Sequence, residues 1–472
     1  MNSSPLTRRD LLRLSAMTPF VSMAQTKARM NVLFIAVDDL NTRIGCYHDP
    51  VVKTPNIDRL ANHGVRFERS YCNYPVCNAS RTSLLSGKRP ETTRIFGNST
   101  PPRTYLGDVV MLPEYFKANG YFTARVGKIA HGLFEDAVKW DISESRAGVP
   151  LQAGRAGKRE AKDEDNPAGG GGGVPLSFRM TDNPDEKEPD GATARRVVQL
   201  IEQNKSKPFF IGCGFHKPHL PWVAPKKYFD MYSLDAIKLP NTPPDDRDDI
   251  PPIALTHQDS DDKMTDDQRR QMIRAYHATT TFMDAQLGLV LDALDKNKLW
   301  DNTVVVLFGD HGWHLYDHLQ LWRKMTVFEQ SAHAPLIVHT PGGKTGTACP
   351  RLVEFVDLYP TLTDLCGLPQ APGMEGLSFA PLLKNPQMKW KKAAYTMVIR
   401  QGGKFGHSVV TERYRYTEWD AGKAGVEFYD HETDPNEWTN LAWPSRTRDA
   451  KTSARLEDMR KLLHADQLAN AR

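Results

Sequence analysis

Asn31-Val32-Leu33-Phe34-Ile35-Ala36-Val37-Asp38-Asp39 is an unbroken apolar run that stops on two acids. A strand without polar alternation is buried on both faces, as in a parallel sheet held between layers of helices. The same pattern returns far downstream as Thr303-Val304-Val305-Val306-Leu307-Phe308-Gly309-Asp310-His311-Gly312. Ligands of open α/β sheets gather at the carboxyl ends of strands, so both endings fall where chemistry is done. A single Asp after a strand also serves as a turn or a helix cap. Two matched endings favour one shared site. Three carboxylates and one imidazole suit a hard divalent cation such as Ca²⁺ or Mg²⁺. No thiolate pair or H-E-x-x-H helix points to zinc.

The 472 residues, 40% hydrophobic and 25% charged, fit two domains or one large α/β domain with an appendage. That composition excludes a wholly disordered chain and a polytopic membrane protein. Sixty-one Lys and Arg against 57 Asp and Glu leave a formal charge of +4, too balanced for a dedicated nucleic-acid binder. Residues 1–28 read as a Tat-type signal peptide and linker. Arg8 and Arg9 precede a short apolar stretch, and Ser22-Met23-Ala24 supplies small residues for cleavage. The alternative is a frayed amphipathic helix. The stretch is too short for a stable membrane span. The expected location is periplasmic or secreted, in a bacterium. Met283, Leu287, Val290, Leu291 and Leu294 fall at helical spacing and predict one core stripe. Residues 146–190, with a charged stretch and then Gly169 to Gly173, read as a flexible surface insertion. Residues 241–262, rich in Pro and Asp, read as a second exposed loop. The catalytic domain is expected over 29–392 and a smaller subdomain over 393–472.

Cys77-Asn78-Ala79-Ser80-Arg81, followed by Ser83-Leu84-Leu85-Ser86-Gly87, resembles the signature of the type I, formylglycine-dependent sulfatases. Thr54-Pro55-Asn56-Ile57-Asp58-Arg59-Leu60-Ala61 and Gly127-Lys128-Ile129-Ala130-His131 are similar to further motifs of that family. Phe215-His216-Lys217-Pro218-His219 and Asp310-His311-Gly312-Trp313 resemble its iduronate-2-sulfatase-like branch. The resemblance implies an alkaline-phosphatase-like α/β fold: a large mixed, mostly parallel sheet flanked by helices, and a small C-terminal α+β subdomain with an antiparallel sheet. It implies that Cys77 is oxidised to formylglycine (3-oxoalanine) by a formylglycine-generating enzyme. Asp38, Asp39, Asp310, His311 and residue 77 would then surround one Ca²⁺, with Mg²⁺ the lesser candidate. Arg81 would orient the nucleophile, and Lys128 would contact sulfate. His131 would take a proton from residue 77, His216 would serve the leaving oxygen, and Lys324 would be a second sulfate contact. The spacing after Asp310 leaves Arg323 as an alternative to Lys324. His219 and His318 are candidates for the sugar pocket.

Arg81 lies one helical turn after Cys77, so both can share a face of a helix expected over Ser80 to Ser86. The even count of six cysteines hints at three disulfides, and the bland reading of Cys77 is a small buried hydrophobe. With Cys77 in the chemistry, the other five can form at most two. The expected activity is hydrolysis of a sulfuric ester on a sulfated sugar or polysaccharide. The alternatives are a phosphonate or phosphate ester hydrolase of the same superfamily and an inactive binder of sulfated glycans.

Overall fold

Strand Asn31–Val37 points alternate residues into opposite layers: Val32, Phe34 and Ala36 join one apolar cluster, and Leu33, Ile35 and Val37 another. That double burial is the physical reason for its lack of polar alternation. The computed structural model describes residues 29–146, 149–150, 176–256 and 259–470. The expected leader, the charged stretch and the glycine run lie outside the described residues.

Nine described strands form the central sheet. Their order across it is Thr347–Glu354, Val65–Tyr71, Leu336–His339, Thr303–Gly309, Asn31–Val37, Phe209–Phe215, Phe122–Gly127, Ile142–Arg146 and Val149–Pro150. The five from Thr303–Gly309 to Ile142–Arg146 run parallel. Leu336–His339 is antiparallel to both of its neighbours, and Val149–Pro150 is antiparallel to Ile142–Arg146. The sheet is mixed but mostly parallel, an alkaline-phosphatase-like α/β arrangement.

Helices Pro55–His63, Pro189–Asn204 and Asp266–Lys296 cover one face through Ile57, Leu60, Val197, Leu200 and the stripe from Met283 to Leu294. Burial of each such aliphatic side chain stabilises by about 1.5–3 kcal/mol. A capping box between Thr265 and Gln268 starts the longest of these helices. The other face packs under Leu84, Leu85, Leu112, Phe116, Leu358 and Leu362.

A four-stranded antiparallel sheet follows: Ala394–Arg400, Lys404–Val410, Tyr414–Trp419 and Gly425–Asp430. Helix Ala450–Asn470 covers one face of it, with Met459 and Leu463 against Val409, Tyr416 and Phe428. Met397, Val398, Trp419 and Tyr429 on this sheet pack with Tyr74, Val76 and Ala79 beside the Cys77 helix.

Two expectations need correction. The insertion is narrower than 146–190, because Phe178–Thr181 pairs in parallel with Trp222–Pro225 and Pro189 opens a 16-residue helix. Segment 241–262 is not simply exposed. Asp246, Asp249, Ile250, Ala254 and Asp261 are buried, because their partners lie on other elements. All six cysteines are free thiols. No described helix is long and apolar enough to cross a membrane.

Candidate active site

Four adjacent parallel strands end side by side. The residues that follow them are Asp310-His311, Asp38-Asp39, His216 and Lys128. Register sets Val37 opposite both Gly309 and Phe215. Beyond that level the chains stay tied: Asp38 N donates to Phe215 O at 3.1 Å, Asp310 N to Val37 O at 3.3 Å, and Lys128 N to Gly214 O at 3.1 Å. Asp39 takes φ 60°, a left-handed turn that aims its amide at Asp310 Oδ1, 3.1 Å away.

Helix Cys77–Ser86 meets these strand ends, and Cys77 is its first residue. It begins three residues before the expected Ser80, with no side-chain cap at Val76 to announce it. Its free amides and dipole favour an anion at this end. The Cys77 thiol lies 3.3 Å from His311 Nε2, 3.0 Å from Lys324 Nζ and 3.9 Å from Asp39 Oδ1. Burial, then Asp38, pushes its pKa well above the usual thiol value, against the pull of Lys128 and Lys324.

Arg81 is fully buried one turn on. Its Nε donates to Asp310 Oδ2 at 2.7 Å and Nη2 to Asp38 Oδ1 at 3.1 Å, while Nη1 holds the Lys128 carbonyl at 2.7 Å. Lys128 Nζ sits 2.7 Å from Asp38 Oδ2, and Lys324 Nζ 2.8 Å from Asp39 Oδ1. Burial would raise the Asp38 carboxyl, but Lys128, His219, Arg81 and His216 hold it well below the usual range. Burial also opposes ionisation of Asp310, and Arg81 and His311 outweigh it.

The lysine question resolves toward Lys324, because Arg323 turns away into an ion pair with Asp261. His131 is buried in the loop that carries Lys128, its ring 6.2 Å from that of Phe134. His216 Nδ1 lies 3.7 Å from Asp38 Oδ2 and keeps a third of its side chain exposed. Burial, Lys217 and His219 lower the His216 pKa well below its ordinary value. The His219 ring lies beside it, tilted, with centroids 4.9 Å apart and Nε2 3.8 Å from Asp39 Oδ2. His318 does not join this set. It is buried against Phe328, centroids 4.2 Å apart, with Nδ1 3.2 Å from Asp246 Oδ2, so packing rather than a sugar surrounds it.

The donors fit a hard cation. Asp38, Asp39 and Asp310 bring ligand oxygens within 4.8 Å of one another, and Asp39, Cys77 and His311 form an overlapping group. Asp39 Oδ2 is buried without a hydrogen-bond partner among the described residues. His311 Nδ1 donates to the Gly312 carbonyl at 2.8 Å, which leaves the Nε2 lone pair facing Cys77 and Asp39. A second grouping, Glu329, His431 and Glu437, already holds Arg415 between its carboxylates and reads as an ion-pair network.

Some functional contacts carried no sequence signal. The fully buried Asp190 accepts from the amides of His216 (2.9 Å) and Lys217 (2.8 Å) and fixes that loop. Ser80 fastens the helix to the Asp310 carbonyl, and Asn98 accepts from the Asn78 amide. Only Ser80, inside the signature, could have been suspected.

Residues 30–368 match the family model described as Sulfatase, and residues 309–464 match that described as N-sulphoglucosamine sulphohydrolase, C-terminal. The chain is similar to a sulfatase of Formosa agariphila, 34% identical over 474 residues, with 92% of this chain and 86% of the relative covered. It is also similar to iduronate 2-sulfatase of Homo sapiens, 32% identical over 419 residues, with coverages of 78% and 76%. Among solved structures, a 2-O GAG sulfatase superposes with a TM-score of 0.72 at 25% identity, covering 94% of this chain and 93% of that one.

Proposed function

The chain belongs to the sulfatase family and is an enzyme that hydrolyses sulfate esters; from that premise we propose that it acts on a sulfated carbohydrate through a formylglycine formed at Cys77. The substrate class is a 2-O-sulfated uronic acid or a related polysaccharide unit, losing its sulfate at a chain end. The observation that carries this reading is the placement of Cys77 at a helix N-terminus, with Lys324 and His311 within 3.3 Å of its sulfur and three buried carboxylates behind it. The similarity to iduronate 2-sulfatase and to a 2-O GAG sulfatase supports the choice of sugar.

Formylglycine, when present, supplies a hydrated aldehyde whose hydroxyl is the nucleophile. Asp38, Asp39, Asp310 and His311 with residue 77 would hold Ca²⁺, which supplies positive charge to the sulfate and to that hydroxyl. The remaining work belongs to the side chains. Arg81 holds Asp38 and Asp310 in register, so the acids do not splay apart by charge repulsion. Lys128 and Lys324 stand on opposite flanks of the acid pair and bind the equatorial sulfate oxygens, where charge gathers in the transition state. His216, the most open of these groups, serves the leaving sugar oxygen, and His131 takes a proton from residue 77.

Sulfate release from a panel of defined sulfated oligosaccharides tests the substrate class, alongside phosphate esters of the same alcohols. A 2-O-sulfated uronic acid should lead the panel; faster phosphate release would overturn the reading. The intact mass of the Cys77 peptide from active, natively produced protein should show loss of the thiol. Cys77→Ala should lower turnover by about three orders of magnitude or more with the fold intact.

A further inference from the structure

Lys324 lies in a stretch of backbone that side-chain-bearing residues rarely adopt. Tyr316, His318, Leu319, Gln320, Arg323 and Met325 all have positive φ, between 47° and 105°, and none is glycine. Such conformations persist only where the surroundings over-determine them, and they concentrate at functional sites. The segment is anchored at several points. His318 pairs with Asp246, Arg247 donates to the His318 carbonyl at 2.9 Å, and Arg323 pairs with Asp261. One further anchor comes from the C-terminal sheet.

Arg400 ends the first strand of that sheet, Ala394–Arg400, and is only 6% exposed. Besides a 3.3 Å contact to the carbonyl of the adjacent Ile399, its guanidinium donates to three backbone carbonyls on other elements: Met325 at 2.7 Å, Ile253 at 3.0 Å and Ala254 at 3.3 Å. It also lies over the Trp419 ring, 5.0 Å from the centroid. Among the described residues no carboxylate forms an ion pair with it. Burial lowers its pKa to about 10, so it remains charged near neutrality. A buried guanidinium with carbonyls instead of a counter-ion is a costly arrangement for packing alone. The carbonyl nearest to it belongs to Met325, the residue after Lys324. The Met325 amide donates in turn to the Pro75 carbonyl at 3.2 Å, two residues before Cys77. Arg400, Met325 and Pro75 thus form a chain from the C-terminal subdomain to the nucleophile helix, with Lys324 beside its middle link.

We propose that Arg400 is a positioning residue through which the C-terminal subdomain holds Lys324 against residue 77. The proposal rests on the catalytic reading of Lys324 given above. Arg400→Lys in the full chain keeps the charge but cannot serve three carbonyls as a fork. It should lower kcat by about 10- to 100-fold, the scale of a small misplacement of a catalytic group. In a Lys324→Ala background the same change should alter kcat by less than about twofold, because the group it positions is gone. An equal loss in both backgrounds would overturn the proposal in favour of a general structural role, as would wild-type kcat in Arg400→Lys. Arg400→Gln provides a second variant; circular dichroism and Tm verify that each compared variant is folded. Full activity in Lys324→Ala alone would remove the premise, a result distinct from additivity.

Discussion

Arg81 shows what a single side chain does at this site. It is the hub of a buried pair of acids, forking to Asp310 and Asp38 while a third nitrogen holds the Lys128 carbonyl. Removing one partner of a buried ion pair leaves uncompensated charge and typically costs about 3–5 kcal/mol. Arg81→Ala should therefore lose stability on that scale in urea unfolding with chelator present; a change below about 1 kcal/mol would count against the hub. Lysine should not restore it, since a point charge cannot serve three acceptors in a fork. At this scale motifs named Asp38, Cys77, Arg81, Lys128 and His216, and the fold gathers these residues into one cluster. The sequence could not decide between Arg323 and Lys324. Side chains of adjacent residues diverge according to backbone dihedrals, and here φ of 72° at Arg323 and 77° at Met325 breaks the regular alternation. His318 was misplaced for a related reason: nothing local reveals that Asp246, 72 positions earlier, is its partner.

Among elements, the strands read most clearly and the nucleophile helix least. Apolar runs on Asn31–Val37 and Thr303–Gly309 encode double burial directly, because both faces meet helices. Helix Cys77–Ser86 is buried on every side, all ten residues. It has no apolar stripe and no capping side chain, so its start could not be located from periodicity. Two glycines make the closeness of the strand ends possible. Gly127 has φ 80°, and a Cβ there would fall 2.0 Å from the Gly214 carbonyl. A Cβ on Gly214 would fall 2.2 Å from the Lys128 carbonyl. Gly214→Ala should push Lys128 off Asp38 and cost about 10²-fold in kcat/KM, measured on protein whose far-UV circular dichroism is unchanged. Activity within twofold of wild type would mean that the strand ends tolerate more room than the contacts indicate.

The whole molecule concentrates acids and cations at one edge of its sheet, and this has a measurable consequence. Ca²⁺ that binds only the folded acid cluster should stabilise by about 2.7 kcal/mol at a hundredfold excess over Kd, a rise of about 3 °C in Tm for a chain of this size. The rise should vanish in Asp39→Ala; an equal rise in the variant would place the ion elsewhere. A separate effect comes from His277, buried on helix Asp266–Lys296 with no hydrogen-bond partner for either ring nitrogen among the described residues. Burial lowers its pKa from 6.5 to about 4, against the pull of Asp49. The unfolded chain therefore takes up this proton first. Stability is fully present above pH 6.5 and falls as pH drops toward 4, by about 3 kcal/mol from this group. His277→Gln should flatten that part of the pH–stability curve in chemical denaturation, and an unchanged slope would refute the assignment. At this scale the sequence by itself determined the class of fold and the strand ends that carry acids. Burial on two faces and motif chemistry are local properties, written in runs of consecutive residues. Only the tertiary structure decided which lysine reaches Cys77, that His318 belongs to the core, that Asp190 holds the His216 loop, and that Arg400 meets the Met325 carbonyl. Those contacts join residues tens to hundreds of positions apart through backbone groups, which leave no mark of their own in the sequence.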